Sequence, residues 1–181
     1  MTMLGIKEPK LESRGSVLHY LSANEIDTNN VVYLNQTKIN VLYKNDTFKP
    51  GFPKGLRMIQ FILFDKKGNL ISQYSTCERS IRGGKVLESF PPKNIYPLNS
   101  GKSFEYYSTY LVDRWGYPIR LSDMQGSDYF LFVYYATFTG RPGLRLLNQI
   151  SEYCDRYKEK KIKLLKVNLD FTSKEAFESP L

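Results

Sequence analysis

The chain is poor in the residues that carry most protein chemistry. Its 181 residues include two cysteines, one histidine and one tryptophan. One histidine cannot build a multi-imidazole metal site, and His19 sits within SVLHYLSANE, where a lone histidine reads as a surface or packing residue. Cys77 and Cys154 are too few for a disulfide framework and wrongly spaced for a metal-binding pair. They either form a single bond or sit apart as small apolar thiols. No apolar run reaches the length of a membrane-spanning helix, and no export signal is recognisable. The sequence shows no phosphate-binding glycine loop, no nucleophile–base pair and no carboxylates with a reason to be close. No catalytic residue, cofactor or metal is therefore expected.

What the chain does have is charge and aromatic mass. Its net charge is +8, with 26 lysines and arginines. The basic residues are scattered, apart from KEKKIKLLK. Lysines ending a helix complement its dipole, so this cluster does not by itself make a nucleic-acid surface, and no RNA-binding or zinc motif accompanies it. Fourteen tyrosines and eleven phenylalanines favour strands. A chain of this length buries roughly 70% of the surface its unfolded form exposes, enough for a core in one domain.

Polarity and proline mark residues 1–14 as a loose leader, followed by a single domain over 15–181. Ser16 to Glu25 has helical spacing, with Ser16 as the expected N-cap. NNVVYLNQTKINVLYKND reads as one or two strands, and KPGFPKG as a loop. LRMIQFILF, DKKGN and LISQYST form a hairpin. SFEYYSTYLVD reads as a helix, and WGYPIRLSDMQG as a short strand and turn. DYFLFVYYA is a strand buried on both faces. A helix is expected from Gly143 to Lys160, from the three-and-four spacing of Leu146, Leu147, Ile150, Cys154 and Tyr157. IKLLKVNLDF is a second buried strand. Residues 128–171 therefore form a βαβ unit within an α/β fold, a mixed sheet flanked by helices.

These residues carry a resemblance. WGYPIRLSDMQGSDYFLFVYYATFTGRPG, followed by KIKLLKVNLD, resembles the thioredoxin-like family, in particular its envelope-tethered thiol oxidoreductases and peroxidase-like relatives. The similarity runs from Asp113 to Asp170. The family's nucleophilic cysteine falls at Thr139, and its resolving cysteine at Pro142 or, with one inserted residue, Gly143. The aromatic before the nucleophile is kept as Phe138. Disulfide exchange needs a thiolate and a second thiol, so the resemblance implies a domain that has lost its redox centre. QFILFDKKGNLISQY is similar to the family's hairpin, which ordinarily follows the βαβ unit. The resemblance thus implies a circular permutation, with the hairpin half at about 15–112 and the βαβ half at about 113–181. The rival is a β-rich N-terminal segment joined to half a thioredoxin fold, which would leave a sheet edge unpaired. The family's cis-proline before the hairpin is replaced by Met58 and Ile59. Similar cysteine-less lipoproteins of Bacteroidetes-type bacteria imply an envelope location, with lipid-anchored or peripheral membrane association.

The degenerate turn keeps one possible use. A helix start offers free N–H groups and a positive dipole end. Phe138, Thr139, Gly140, Arg141 and Pro142 would form a weak anion or peptide-carboxylate site there. The plainer alternative is that Thr139 caps the helix and Arg141 points to solvent. Asp170 reads as the cap of TSKEAF. The sequence thus points to a non-catalytic binding or structural module with a protein or peptide partner. Two other functions fit the composition: a thiol redox protein using Cys77 and Cys154, and a basic-surface binder of nucleic acid or anionic membrane.

Overall fold

A computed structural model describes residues 12–35, 37–38, 59–75, 83–94 and 102–170. The fold is mixed α/β. Helix α1 spans Arg14–Ser22 and precedes strand β1, Val31–Leu34. The hairpin follows as β2, Gln60–Asp65, and β3, Leu70–Ser75. A single helical turn, α2, covers Gly83–Val86. Helix α3, Phe104–Ser108, leads into the two-residue β4, Leu111–Val112. The described chain closes with β5 at Tyr129–Tyr135, α4 at Arg141–Arg156 and β6 at Ile162–Asn168.

The six strands form one sheet in the order β3-β2-β5-β6-β1-β4. β5 and β6 are parallel neighbours, as are β6 and β1. The hairpin lies against the other side of β5, with β2 antiparallel to it and Ile62 opposite Phe132. The expected βαβ unit and the expected hairpin are thus both present and adjoin through β5. Asp65 sets the hairpin turn. One carboxylate oxygen accepts from the Lys67 and Asn69 amides at 2.8 and 2.9 Å, and the other from Asn69 Nδ2 at 2.8 Å.

Alternation along the strands builds two cores. Phe61, Leu63, Leu131, Val133 and Tyr135 face α1, α2 and α4. Ile62, Phe64, Phe130, Phe132 and Tyr134 face α3 and the segment around Met124. Tyr134 and Tyr135 therefore lie on opposite faces, and both are fully buried. Phe132 has the rings of Phe104 and Phe64 at 5.1 and 5.3 Å, both edge-on.

Several boundaries differ from the sequence expectation. α1 starts at Arg14, because Ser13 and not Ser16 is the cap; its side chain accepts the Ser16 amide at 3.0 Å. Glu12 and Ser13, placed in the leader by sequence, thus take part in the fold. α4 is shifted, beginning at Arg141 and ending at Arg156, where Tyr157 leaves helical geometry. A 3₁₀ turn, Lys158–Lys160, and a left-handed Lys161 then reverse the chain into β6. SFEYYSTYLVD is helical only to Ser108 and then enters β4. LSDM is a 3₁₀ turn. The segments KINVLYKND and KPGFPKG, and Met58, lie outside the described residues, apart from Lys38 at the start of the first. Phe132→Ala is expected to lower unfolding free energy by about 3–5 kcal/mol, measured by urea denaturation, because a wholly buried ring is lost from a packed aromatic cluster.

Candidate functional site

The C-terminal ends of parallel strands are where open α/β sheets hold ligands, and the Thr/Gly/Pro turn sits at that end of β5. Thr137–Thr139 forms a 3₁₀ turn, and Gly140 carries the chain into α4. Gly140 has φ 59° and ψ −137°, a conformation open to glycine and strained for other residues. Pro142 falls in the first turn of α4, as its fixed φ favours.

The five residues expected to form an anion site are contiguous here but do not converge. Phe138 is buried in the core on the α3 face. Thr139 is 5% exposed, and its hydroxyl donates inward to the Ala136 carbonyl at 2.6 Å. Thr139 does not cap α4, since the cap residue is Gly140. Gly140 and Pro142 are half-buried, and Arg141 is exposed. Gly143 packs against Thr139 so closely that a Cβ added there would overlap its Oγ1.

Cys77 lies outside the described residues. Cys154 is partly buried against the α1 and α4 core. Burial, with Asp155 nearby, pushes its thiol pKa up to about 12. His19 is on α1 near its C-terminal end.

The same strand ends hold a second group that sequence reasoning missed. Asp170 is 2% exposed and Glu12 is 7% exposed. Asp170 accepts from the Thr137 amide at 2.8 Å, from the Thr137 hydroxyl at 2.9 Å and from Asn168 Nδ2 at 2.6 Å. Glu12 Oε1 stands 3.5 Å from the same Thr137 hydroxyl, and Glu12 Oε2 accepts from the Ser16 hydroxyl at 2.6 Å. This corrects the expectation that no two carboxylates meet. Asp170 ties down the 137–139 turn; TSKEAF, which it was expected to cap, lies outside the described residues. One hydroxyl proton cannot serve two carboxylates. Burial raises the Asp170 pKa, the hydrogen bonds from Thr137 and Asn168 pull it back, and the nearby charge of Glu12 raises it further.

A third feature is a cleft of about 260 Å³ between β1 and the segment after β4. Asp113, Arg114, Trp115, Tyr117 and Lys163 are among the residues that line it. Trp115 is 57% exposed and Tyr117 is 60% exposed. The sequence signal for it is the only tryptophan of the chain, within RWGYP, a stretch that reads locally as no more than strand and turn. Compared with known protein families, with curated proteins and with solved structures, the chain matches none. Among the described residues no group of acidic, histidine or cysteine side chains is placed to hold a metal ion.

Two outcomes are expected. Gly143→Ala should destabilise the fold by about 1–3 kcal/mol through overpacking. Adding Thr139→Ala should recover part of that loss, because the overlapping oxygen is gone, and a double-mutant cycle by urea denaturation measures the coupling. Asp170 binds its proton more tightly folded than unfolded. Its contribution therefore favours the fold below the ordinary aspartate range and is lost as pH rises through the raised value. Asp170→Ala should cost about 1–3 kcal/mol by orphaning Thr137 and Asn168. Asp170→Asn should gain stability relative to the parent as pH rises above the ordinary aspartate range. A stability difference between the parent and the Asp170→Asn protein that stays constant with pH would contradict the assigned burial effect.

Proposed function

We propose that this chain is a thioredoxin-like module without redox chemistry that binds a protein or peptide partner. The observation that carries this reading is at Thr139. The position of the family's nucleophilic cysteine holds a buried hydroxyl donating to Ala136. A threonine hydroxyl has neither the acidity nor the electron chemistry for disulfide exchange. The rest of the frame supports the family reading: a strand buried on both faces, a turn closed by Gly140, and α4 crossing over to a parallel strand. The hairpin lies antiparallel to β5 and precedes the βαβ unit in the chain. That arrangement supports a rearranged, permuted chain order with the hairpin half first.

Redox use of Cys154 is disfavoured by its setting. With a thiol pKa pushed up to about 12, almost none of it is thiolate at neutral pH. An envelope location, with a lipid or peripheral anchor, belongs to the same reading.

The test is thiol labelling of the native full chain, with and without reductant, read by mass spectrometry at both cysteines. Cys154 should stay unlabelled until the protein is denatured, and no reducible Cys77–Cys154 bond should be found. The protein should also fail to reduce insulin disulfides. Rapid labelling of either thiol, or a reducible bond, would overturn the non-redox reading.

A further inference from the structure

β4 pairs with β1 only at Tyr33 and Leu34. Beyond Val112 the chain turns back on itself. The Asp113 carboxylate accepts the Trp115 and Tyr117 amides at 2.8 and 2.9 Å, the Asp113 amide donates to the Tyr117 carbonyl, and Val112 bridges Pro118. The outer edge of β1 below Tyr33 is thus left without a strand partner among the described residues. Which backbone groups face that edge follows from the ladder. The Lys166 amide donates to the Asn30 carbonyl, and Val31 is the register partner of Lys166. Asn30 and Val32 therefore direct their peptide groups toward β6. Val31 directs its N–H and C=O the other way, toward the cleft.

The cleft's outer wall is held in place. Asp113 organises the turn, and Arg14 of α1 donates to the Arg114 carbonyl while its guanidinium lies 5.1 Å from the Tyr33 ring centre. A fixed turn presenting two large aromatics to solvent serves no packing need of the fold. Exposed aromatics and arginine are the side chains that anchor protein contacts. The lining carries two cations, Arg114 and Lys163, and two carboxylates, Asp113 and Asp123. The Arg114 guanidinium stacks on Trp115 at 5.3 Å, and Lys163 lines the cleft; neither forms an ion pair among the described residues. Both carboxylates hold hydrogen bonds within their own segment: Asp113 accepts the Trp115 and Tyr117 amides, and Asp123 accepts the Ser122 hydroxyl at 3.1 Å.

Resting on the binding-module reading above, we propose that this cleft takes an extended acidic peptide segment of another protein. The segment adds beside β1 at Val31, packs its apolar side chains on Trp115 and Tyr117, and sets its carboxylates at Arg114 and Lys163. Strand addition supplies main-chain hydrogen bonds for affinity, and the flanking side chains supply selectivity. This site is separate from the turn at Thr139.

Trp115 is the only tryptophan of the chain, so its emission reports this cleft alone. The full chain is titrated with a blocked hexapeptide alternating valine and glutamate, followed in parallel by calorimetry. A saturable blue shift is expected, weakening with salt. The lysine counterpart should bind at least about tenfold more weakly, as should the glutamate peptide to Arg114→Glu. Tyr117→Ala should weaken binding without changing the fold seen by circular dichroism. A peptide N-methylated at alternate amides should not bind, because it cannot join an edge. Equal binding of the N-methylated peptide overturns strand addition. Equal binding of the lysine peptide overturns the acidic preference. Calorimetric binding that leaves Trp115 emission unchanged overturns the cleft but leaves the binding module standing. A response to a neutral oligosaccharide and to no peptide overturns the peptide assignment. The binding-module reading fails separately, by a reactive thiol in the labelling experiment.

Discussion

Everything in this molecule is arranged around β5 having no free side. Its backbone is bonded to β2 on one flank and to β6 on the other. Its side chains from Phe130 to Tyr135 are buried on both faces. A strand in that position needs a helix layer above and below, because neither face tolerates water. α1 and α4 cover one side, and α3 with the Met124 segment covers the other. The turn that leaves β5 is therefore also enclosed, which is why Thr139 has nowhere to direct its hydroxyl but back to Ala136.

Burial on that scale traps polar groups, and the fold handles them unevenly. Lys166, in the middle of β6, is 3% exposed, and it reaches Asp27 at 2.9 Å and the Asn29 carbonyl at 2.8 Å. Asp170 is served by three donors, with Glu12 crowding the same hydroxyl. A bonded polar cluster favours one arrangement, and a buried carboxylate whose pKa is raised makes that arrangement sensitive to pH. The network thus fixes the start of α1 to the end of β6 through side chains and not through the sheet.

The parts of the fold legible in the sequence were those with a local cause. The unbroken apolar run of β5, the three-and-four spacing of α4 and the Gly-containing turn between β2 and β3 each carry their signal within a few residues, and each element is present. Capping was less legible, because Ser13 and Ser16 are both competent and the choice depends on Glu12 engaging Ser16. The pairing of Glu12 with Asp170 was not legible at all. Nothing local joins residues separated by nearly the whole described chain. The aromatic cleft was visible only as composition. That Trp115 and Tyr117 face solvent follows from Asp113 gathering both amides, a geometry their hydrophobicity argues against.

The position of β1 has a bearing on how the molecule is assembled in time. β1 comes early in the chain, yet its parallel neighbour is β6 and its other partner is β4. As the chain leaves the ribosome, Val31–Leu34 has no parallel strand to join until the distant β6 has emerged. The hairpin of β2 and β3 needs no such wait, since its turn is local. Long-range pairing of this kind slows folding relative to local contacts. The hairpin's pairing is local, and the edge that depends on pairing between distant parts of the chain is the one beside the exposed tryptophan.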